Sequence, residues 1–199
     1  VACASYDINI SALVEPINAI AVCSGGTATL SSQSGGGASG CVIQWQESTD
    51  LGVNWQDILG ANNPDYTTAA LTQTTYYRAI YTCAGAGCNQ AVSNVQIVTV
   101  NPLPTITTSS NSPVCAGSDL QLNASGGDTY VWSGPDGFTA NISNPTITAA
   151  TTNATGNYLV TVTDANGCSS TAQINVLINS SLTTSVVTTP ISCNGGNNG

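Results

Sequence analysis

Eight cysteines and ten carboxylates are the residues of this 199-residue chain with chemistry to offer, and the cysteines carry the more regular pattern. Cys3, Cys88 and Cys168 each precede an alternating apolar run and recur at spacings of 85 and 80 residues. Cys23, Cys115 and Cys193 each open a small Gly-rich turn (CSGG, CAGS, CNGG) and recur at 92 and 78. Neither series has the close spacing of a zinc site, and the chain has no histidine. The chemistry these positions suit is disulfide formation outside a reducing compartment.

Catalysis finds no such footing. Without His or Lys there is no Ser-His-Asp or Cys-His arrangement, no Schiff base and no imidazole ligand for a metal. Glu47, Asp50 and Asp57 fall in one polar hairpin and read as a solvated rim rather than as the acid and base of a hydrolase. No catalytic residue is assigned, and the chain is not expected to be an enzyme. Asp128, Asp164 and Asn166 are expected at one pole of the second repeat, where hard oxygen ligands suit Ca2+; DANG (164–167) reads first as a plain hairpin turn, so no cofactor is assigned. Trp55, in GVNWQDI, is either a cap on a sheet edge or a platform on which a sugar ring stacks.

Composition restricts the partners. Arg78 is the single cation against ten acids, for a net charge of −9. Such a surface repels phosphate backbones and anionic lipid, which excludes nucleic acid and peripheral membrane contact. No apolar run approaches the ~18 residues of a membrane span, so direct membrane insertion is not expected. With only 6% of residues charged, Ser, Thr, Asn and Gly must keep the surface wet, as in exported β-proteins.

The elements that position these residues are short alternating strands separated by turn residues, with no 3.6-residue apolar stripe between helix caps. Two interleaved cysteine series of one period mean tandem modules of roughly 80 to 90 residues. Residues 1–12 read as the last strand of a preceding repeat, 13–101 and 102–180 as two complete β-sandwiches, and 181–199 as the start of a following repeat. The chain is thus expected to be a window on a longer repetitive protein. Pro102 and Pro104 stiffen the joint. Leu30 and Leu122 stand seven residues after Cys23 and Cys115, and Trp45 and Trp132 sit on alternating strands where an immunoglobulin-like sandwich buries its tryptophan. Tyr77 and Tyr158 are expected to be tyrosine corners. The predicted fold is all-β: tandem immunoglobulin-like (PKD-like) sandwiches arranged end to end.

That fold suggests cysteine pairs. Cys41 shares the inward parity of Ile43 and Trp45, and Cys83 ends the neighbouring antiparallel strand, so these two are expected to bridge. Cys115 and Cys168, the only cysteines of the second repeat, pair by elimination. Cys23 and Cys88 follow by internal homology, although that bridge needs the first strand to bend, since their two turns belong at opposite poles. The first sandwich then holds two disulfides and the second one. Cys3 and Cys193 are left for partners outside this stretch.

The motifs VCSGGTATL, QWQESTDLGVNWQDI, ANNPDYTTAALTQTTYYRAIYTC, VCAGSDLQL, YVWSGPDGF and GNYLVTVTDANGC resemble the immunoglobulin-like and PKD-like repeats of very large Bacteroidota surface proteins. ISCNGGNNG is similar to the opening of an SprB-type repeat of gliding-motility adhesins. The resemblance implies type IX secretion, an extracellular, cell-surface-attached location, and stalk or spacer repeats in adhesion or gliding motility. The implied partners are neighbouring repeats of the same chain, surface glycans and other cell-surface proteins. A glycan- or partner-binding module and a segment of an extracellular filament or sheath are the alternative functions.

Overall fold

The computed structural model describes residues 20–32, 41–83 and 90–180. They form two compact units: the residues up to 106 together with 126–129 and 161–171, and residues 107–125, 130–160 and 172–180. Every regular element longer than a single turn is a strand.

The first repeat runs β1 (Ile20–Cys23), β2 (Thr29–Ser31), β3 (Cys41–Ser48), β4 (Gln56–Asp57), β5 (Asp65–Thr67), β6 (Thr75–Cys83), β7 (Ala91–Val92) and β8 (Gln96–Asn101). One sheet has the order β1-β8-β6-β3-β4, with β7 on β6; β2 and β5 pair separately. Its backbone is the antiparallel β3–β6 ladder, in register from Cys41↔Cys83 to Ser48↔Tyr76. CVIQWQES and TYYRAIYTC are rich in aromatic and β-branched residues, which fill a pleated surface well. Their period of two sends Trp45, Tyr77, Ala79 and Tyr81 to one face, where they meet Leu30 and Val98 in the core. Trp45 is fully buried, and its indole N–H is satisfied by the Asn63 carbonyl at 2.9 Å. Burying a ring of that size removes roughly 200 Å² from water and anchors the sandwich.

The second repeat repeats the plan: β9 (Thr107–Ser110), β10 (Val114–Cys115), β11 (Leu120–Ser125), β12 (Thr129–Ser133), β13 (Thr139–Ala140), β14 (Thr146–Ile147), β15 (Gly156–Thr163), β16 (Ser169–Val176) and β17 (Ile178–Asn179). The orders are β13-β12-β15-β16 in one sheet and β14-β11-β9 in the other. In β11, Leu120, Leu122 and Ala124 are buried while Gln121, Asn123 and Ser125 are exposed. Trp132 is fully buried and donates to the Ile142 carbonyl at 3.1 Å. Tyr158 is a tyrosine corner: its hydroxyl donates to the Ala154 carbonyl, four residues upstream, at 2.8 Å. Gly126 makes the connection from β11 to β12 possible, since its φ is +118° and a Cβ there would run into the Thr105 carbonyl.

Each repeat has one short parallel pairing between its first strands and its last. Ile20–Cys23 runs alongside Val98–Asn101, and Val114–Cys115 alongside Ile178–Asn179. An all-β chain with two facing sheets per repeat, a buried tryptophan on the third long strand and this edge pairing is an immunoglobulin-like β-sandwich.

Candidate functional site

Two features of the molecule bear on function: a covalent bridge and an exposed side-chain ladder. The bridge joins Cys23 to Cys168, with Cα atoms 5.5 Å apart across a sequence separation of 145 residues. Cys23 closes β1, where Val22 and Cys23 pair with Val100 and Asn101. Cys168 stands fully buried at the foot of the hairpin between β15 and β16. That hairpin is fixed by Asp164: its Oδ1 accepts the N–H groups of Asn166 and Cys168, each at 2.9 Å, and its backbone N–H donates to the Cys168 carbonyl at 3.0 Å.

The bridge corrects the expected pairings Cys23–Cys88 and Cys115–Cys168. Cys115 lies beside Asn179, at the far end of the last strand from Cys168. Eleven residues of strand at about 3.3 Å each separate the two positions by roughly 35 Å, against the ~7 Å limit for a disulfide. Cys115 is accordingly a free, exposed thiol. In the same way Cys23 ends beside Asn101, at the far end of β8, and its sulfur is committed to Cys168. Cys41 is disulfide-bonded, and the register sets Cys83 directly opposite it. The Cys83 side chain, with Cys3, Cys88 and Cys193, lies outside the described residues.

The ladder crosses the exposed face of the first repeat's larger sheet. Gln46 pairs with Asp57 on one side and with Arg78 on the other. Arg78 Nε donates to Gln46 Oε1 at 2.7 Å, and Gln46 Nε2 donates to Asp57 Oδ1 at 2.7 Å. The Arg78 guanidinium carbon lies 4.2 Å from the Trp55 ring centroid, a cation–π contact. Partial burial draws the Arg78 pKa down from the ordinary guanidinium value, and the group remains a cation.

The β3–β4 loop aims Trp55 at this ladder. Leu51 and Gly52 have φ of +63° and +81°, and a Cβ on Gly52 would press on Trp55 Cζ2 at 3.3 Å. Asp50 locks the turn, accepting from the Asn54 backbone N–H at 2.9 Å, the Ser48 hydroxyl at 2.7 Å and the Asn54 side-chain amide at 2.6 Å. These bonds, the Asn54 backbone N–H foremost, hold its carboxyl at about 2, below its ordinary 3.8. Asp50 and Asp57 are therefore spent separately, on the turn and on the ladder.

Trp55 is thus half-buried under the only cationic side chain of the chain, with Leu51 and Val53 exposed beside it. Gln46 and Arg78 are register partners on one sheet face; the stacking of Trp55 on Arg78 depends on loop geometry that no periodicity encodes. In the second repeat, Asp128 donates its N–H to the Thr163 carbonyl at 2.8 Å, next to Asp164 in sequence. Asp164 Oδ1 is already committed to two N–H groups. Among the described residues no three of His, Cys, Asp and Glu are grouped to hold a metal ion, and no helix is long and apolar enough to cross a membrane.

In comparison with known proteins, residues 17–102 match a family described as "Domain of unknown function (DUF8696)". Residues 103–180 match the family "Ig-like domain CHU_C associated", so this stretch is an Ig-like domain by sequence as well as by fold. The curated proteins contain no match. Among solved structures, the chain is similar to the amphioxus IgVJ-C2 molecule at 16% identity, covering 79% of this chain and 99% of that one with a TM-score of 0.36. It is also similar to three N-terminal domains of the bacteriophage RB49 highly immunogenic outer capsid protein (17%; 87% and 59% covered; TM-score 0.45). The fibronectin(III)-like modules of Clostridium thermocellum CbhA are a third (12%; 87% and 94%; 0.38).

Proposed function

We propose that this chain is a pair of spacer repeats from a very large secreted cell-surface adhesin, holding a binding region away from the cell in adhesion or gliding. The observation that carries the reading is the Cys23–Cys168 bridge. It gives the two family-matched segments, 17–102 and 103–180, a second covalent tie in addition to the Pro102/Pro104 linker. A covalent tie between the two matched segments adds stability rather than chemistry, as a spacer requires. A bridge of this kind also belongs to an oxidising, extracellular setting, in keeping with type IX export.

The test is deletion of residues 103–180 from the parent protein. A spacer predicts shorter reach by one repeat, with binding specificity and export unchanged. Loss of adhesion with export intact would place a recognition site in this stretch and overturn the spacer reading.

A second reading is favoured by the ladder. Trp55 stacked on Arg78, with Leu51 and Val53 exposed beside it, is a small amphipathic surface suited to a glycan or a surface protein. A glycan array probed with the intact chain and with Trp55→Ala separates the two functions, since only the binding module gives a Trp55-dependent signal.

A further inference from the structure

Cys23 and Cys115 occupy the same structural position twice over. Each ends a strand paired in parallel with the last strand of its repeat, opposite Asn101 and Asn179 respectively. The next residue donates its N–H to that asparagine's carbonyl in both cases, Ser24 at 2.9 Å and Ala116 at 2.7 Å. A glycine of positive φ follows, Gly25 at +88° and Gly117 at +93°. Each glycine N–H then donates across the sandwich, to Leu71 at 2.7 Å and to Ala150 at 2.9 Å. The turn closes onto the cysteine's own carbonyl both times, from Gly26 at 2.8 Å and from Ser118 at 3.0 Å. Five backbone features in common make the sulfur positions equivalent, yet Cys23 is bridged and Cys115 is a free, exposed thiol.

The bridge that Cys23 makes defines what Cys115 lacks. Its partner, Cys168, belongs to the other cysteine series, the one standing before the last strand, and it lies one repeat further on. We propose that this bridge is a rule of the array: the cysteine ending the first strand of each repeat joins the cysteine before the last strand of the next. Cys115 then bridges to the repeat that Cys193 opens. No repeat then closes a bridge between these two series within itself. The sequence alone does not order the connections this way, because the interleaved spacings suit pairing within a repeat equally well.

Each bridge forms when two thiols give up two protons and two electrons to the disulfide of a thiol–disulfide oxidoreductase, which leaves as a dithiol. The partner of Cys115 is therefore a thiol on a sandwich of this same kind, presented by a tight hairpin such as that of Asp164–Gly167. The inference concerns covalent connectivity and holds whether the array serves as a spacer or as a binding surface.

The test is non-reducing peptide mapping of the full-length secreted protein, alkylated before digestion. Pepsin at acid pH is suitable, because the single Arg78 leaves trypsin little to cut and low pH suppresses thiolate exchange. The expected result is a crosslinked peptide joining Cys115 to the cysteine before the last strand of the following repeat, lost completely in Cys115→Ser while Cys23–Cys168 persists. Alkylated Cys115 in the native protein, or Cys115 linked to Cys168, to Cys88 or to a second copy of the chain, overturns the proposal.

Discussion

Replacing Cys23 by Ala removes the Cys23–Cys168 bridge while leaving β1 free to keep its backbone pairing with β8. In the chain-entropy account, a crosslink that closes a loop of 145 residues restricts the unfolded chain by about 5 kcal/mol at 25 °C. The dependence is logarithmic. If only the first repeat unfolds, leaving a loose stretch of roughly 80 residues, the figure falls only to about 4.5 kcal/mol. In a chain of this size 1 kcal/mol moves the midpoint by about 2 to 4 °C, so Cys23→Ala is expected to lose about 10 to 20 °C. Thermal unfolding followed by tryptophan fluorescence reads this directly, since Trp45 and Trp132 are fully buried. Cys115→Ala is the matched control, the same backbone position without a bridge, and should change stability by less than about 0.5 kcal/mol. Equal losses from Cys23→Ala and Cys115→Ala, or no loss from either, would refute the assignment of the bridge.

Three further outcomes follow from single contacts. Trp132→Ala empties a fully buried site and frees the Ile142 carbonyl; denaturant unfolding should show a loss of about 3 to 5 kcal/mol, confined to the second repeat. Tyr158→Phe keeps the ring and its edge-on contact with Phe138 but strands the buried Ala154 carbonyl, for a loss of about 1 to 2 kcal/mol by the same measurement. Asp50 is held at about 2 in the folded state against 3.8, so its bonds stabilise the β3–β4 loop above pH 3.8, and that contribution disappears as pH falls toward 2. Carboxyl-detected NMR should place the Asp50 midpoint near 2, with the amides of Gly52 and Asn54 shifting in step; a midpoint near 3.8 would show that the loop bonds are absent in solution.

What was legible in the sequence is what depends on local parity. Trp45, Trp132, Leu30 and Leu122 are buried because a strand alternates its faces every residue, a rule that needs no knowledge of neighbours. Tyr158 was readable for the same reason, since its hydroxyl reaches only four residues back. Parity also put Cys41 opposite Cys83, but the Cys23–Cys168 bridge was not legible. Pairing by elimination assumed that each repeat closes its own bridges, and the conflict between opposite poles was already present in the positions of Cys115 and Cys168. Three-dimensional pairing settled it, because the register β10–β17 fixes Cys115 beside Asn179. The contact of Trp55 with Arg78 escaped for a different reason. Positive φ at Leu51 and Gly52 turns the loop back over the sheet, and the choice of that turn over others rests on the Asp50 and Ser48 bonds rather than on hydrophobic pattern.

The bridge also decides which part of the chain bears a pulling force. Tension arriving along the backbone at Cys23 crosses the sulfurs to Cys168, so the residues between them lie in a covalent loop off the loaded path. Extended fully, a stretch of 145 residues would release roughly 500 Å of length, and the bridge withholds all of it even when the enclosed strands unfold. The loaded elements are then β1, held by its parallel pairing to β8, and β16 with β17, held by β15 and β10. Were every repeat bridged to the next, successive loops would overlap, since Cys115 falls inside the loop from Cys23 to Cys168 and its partner beyond it. No repeat could then be drawn out to full length while its disulfides remained. An array so connected would resist extension through covalent topology, the property that the proposed spacer role requires of sandwiches with a surface almost without ion-pairing cations.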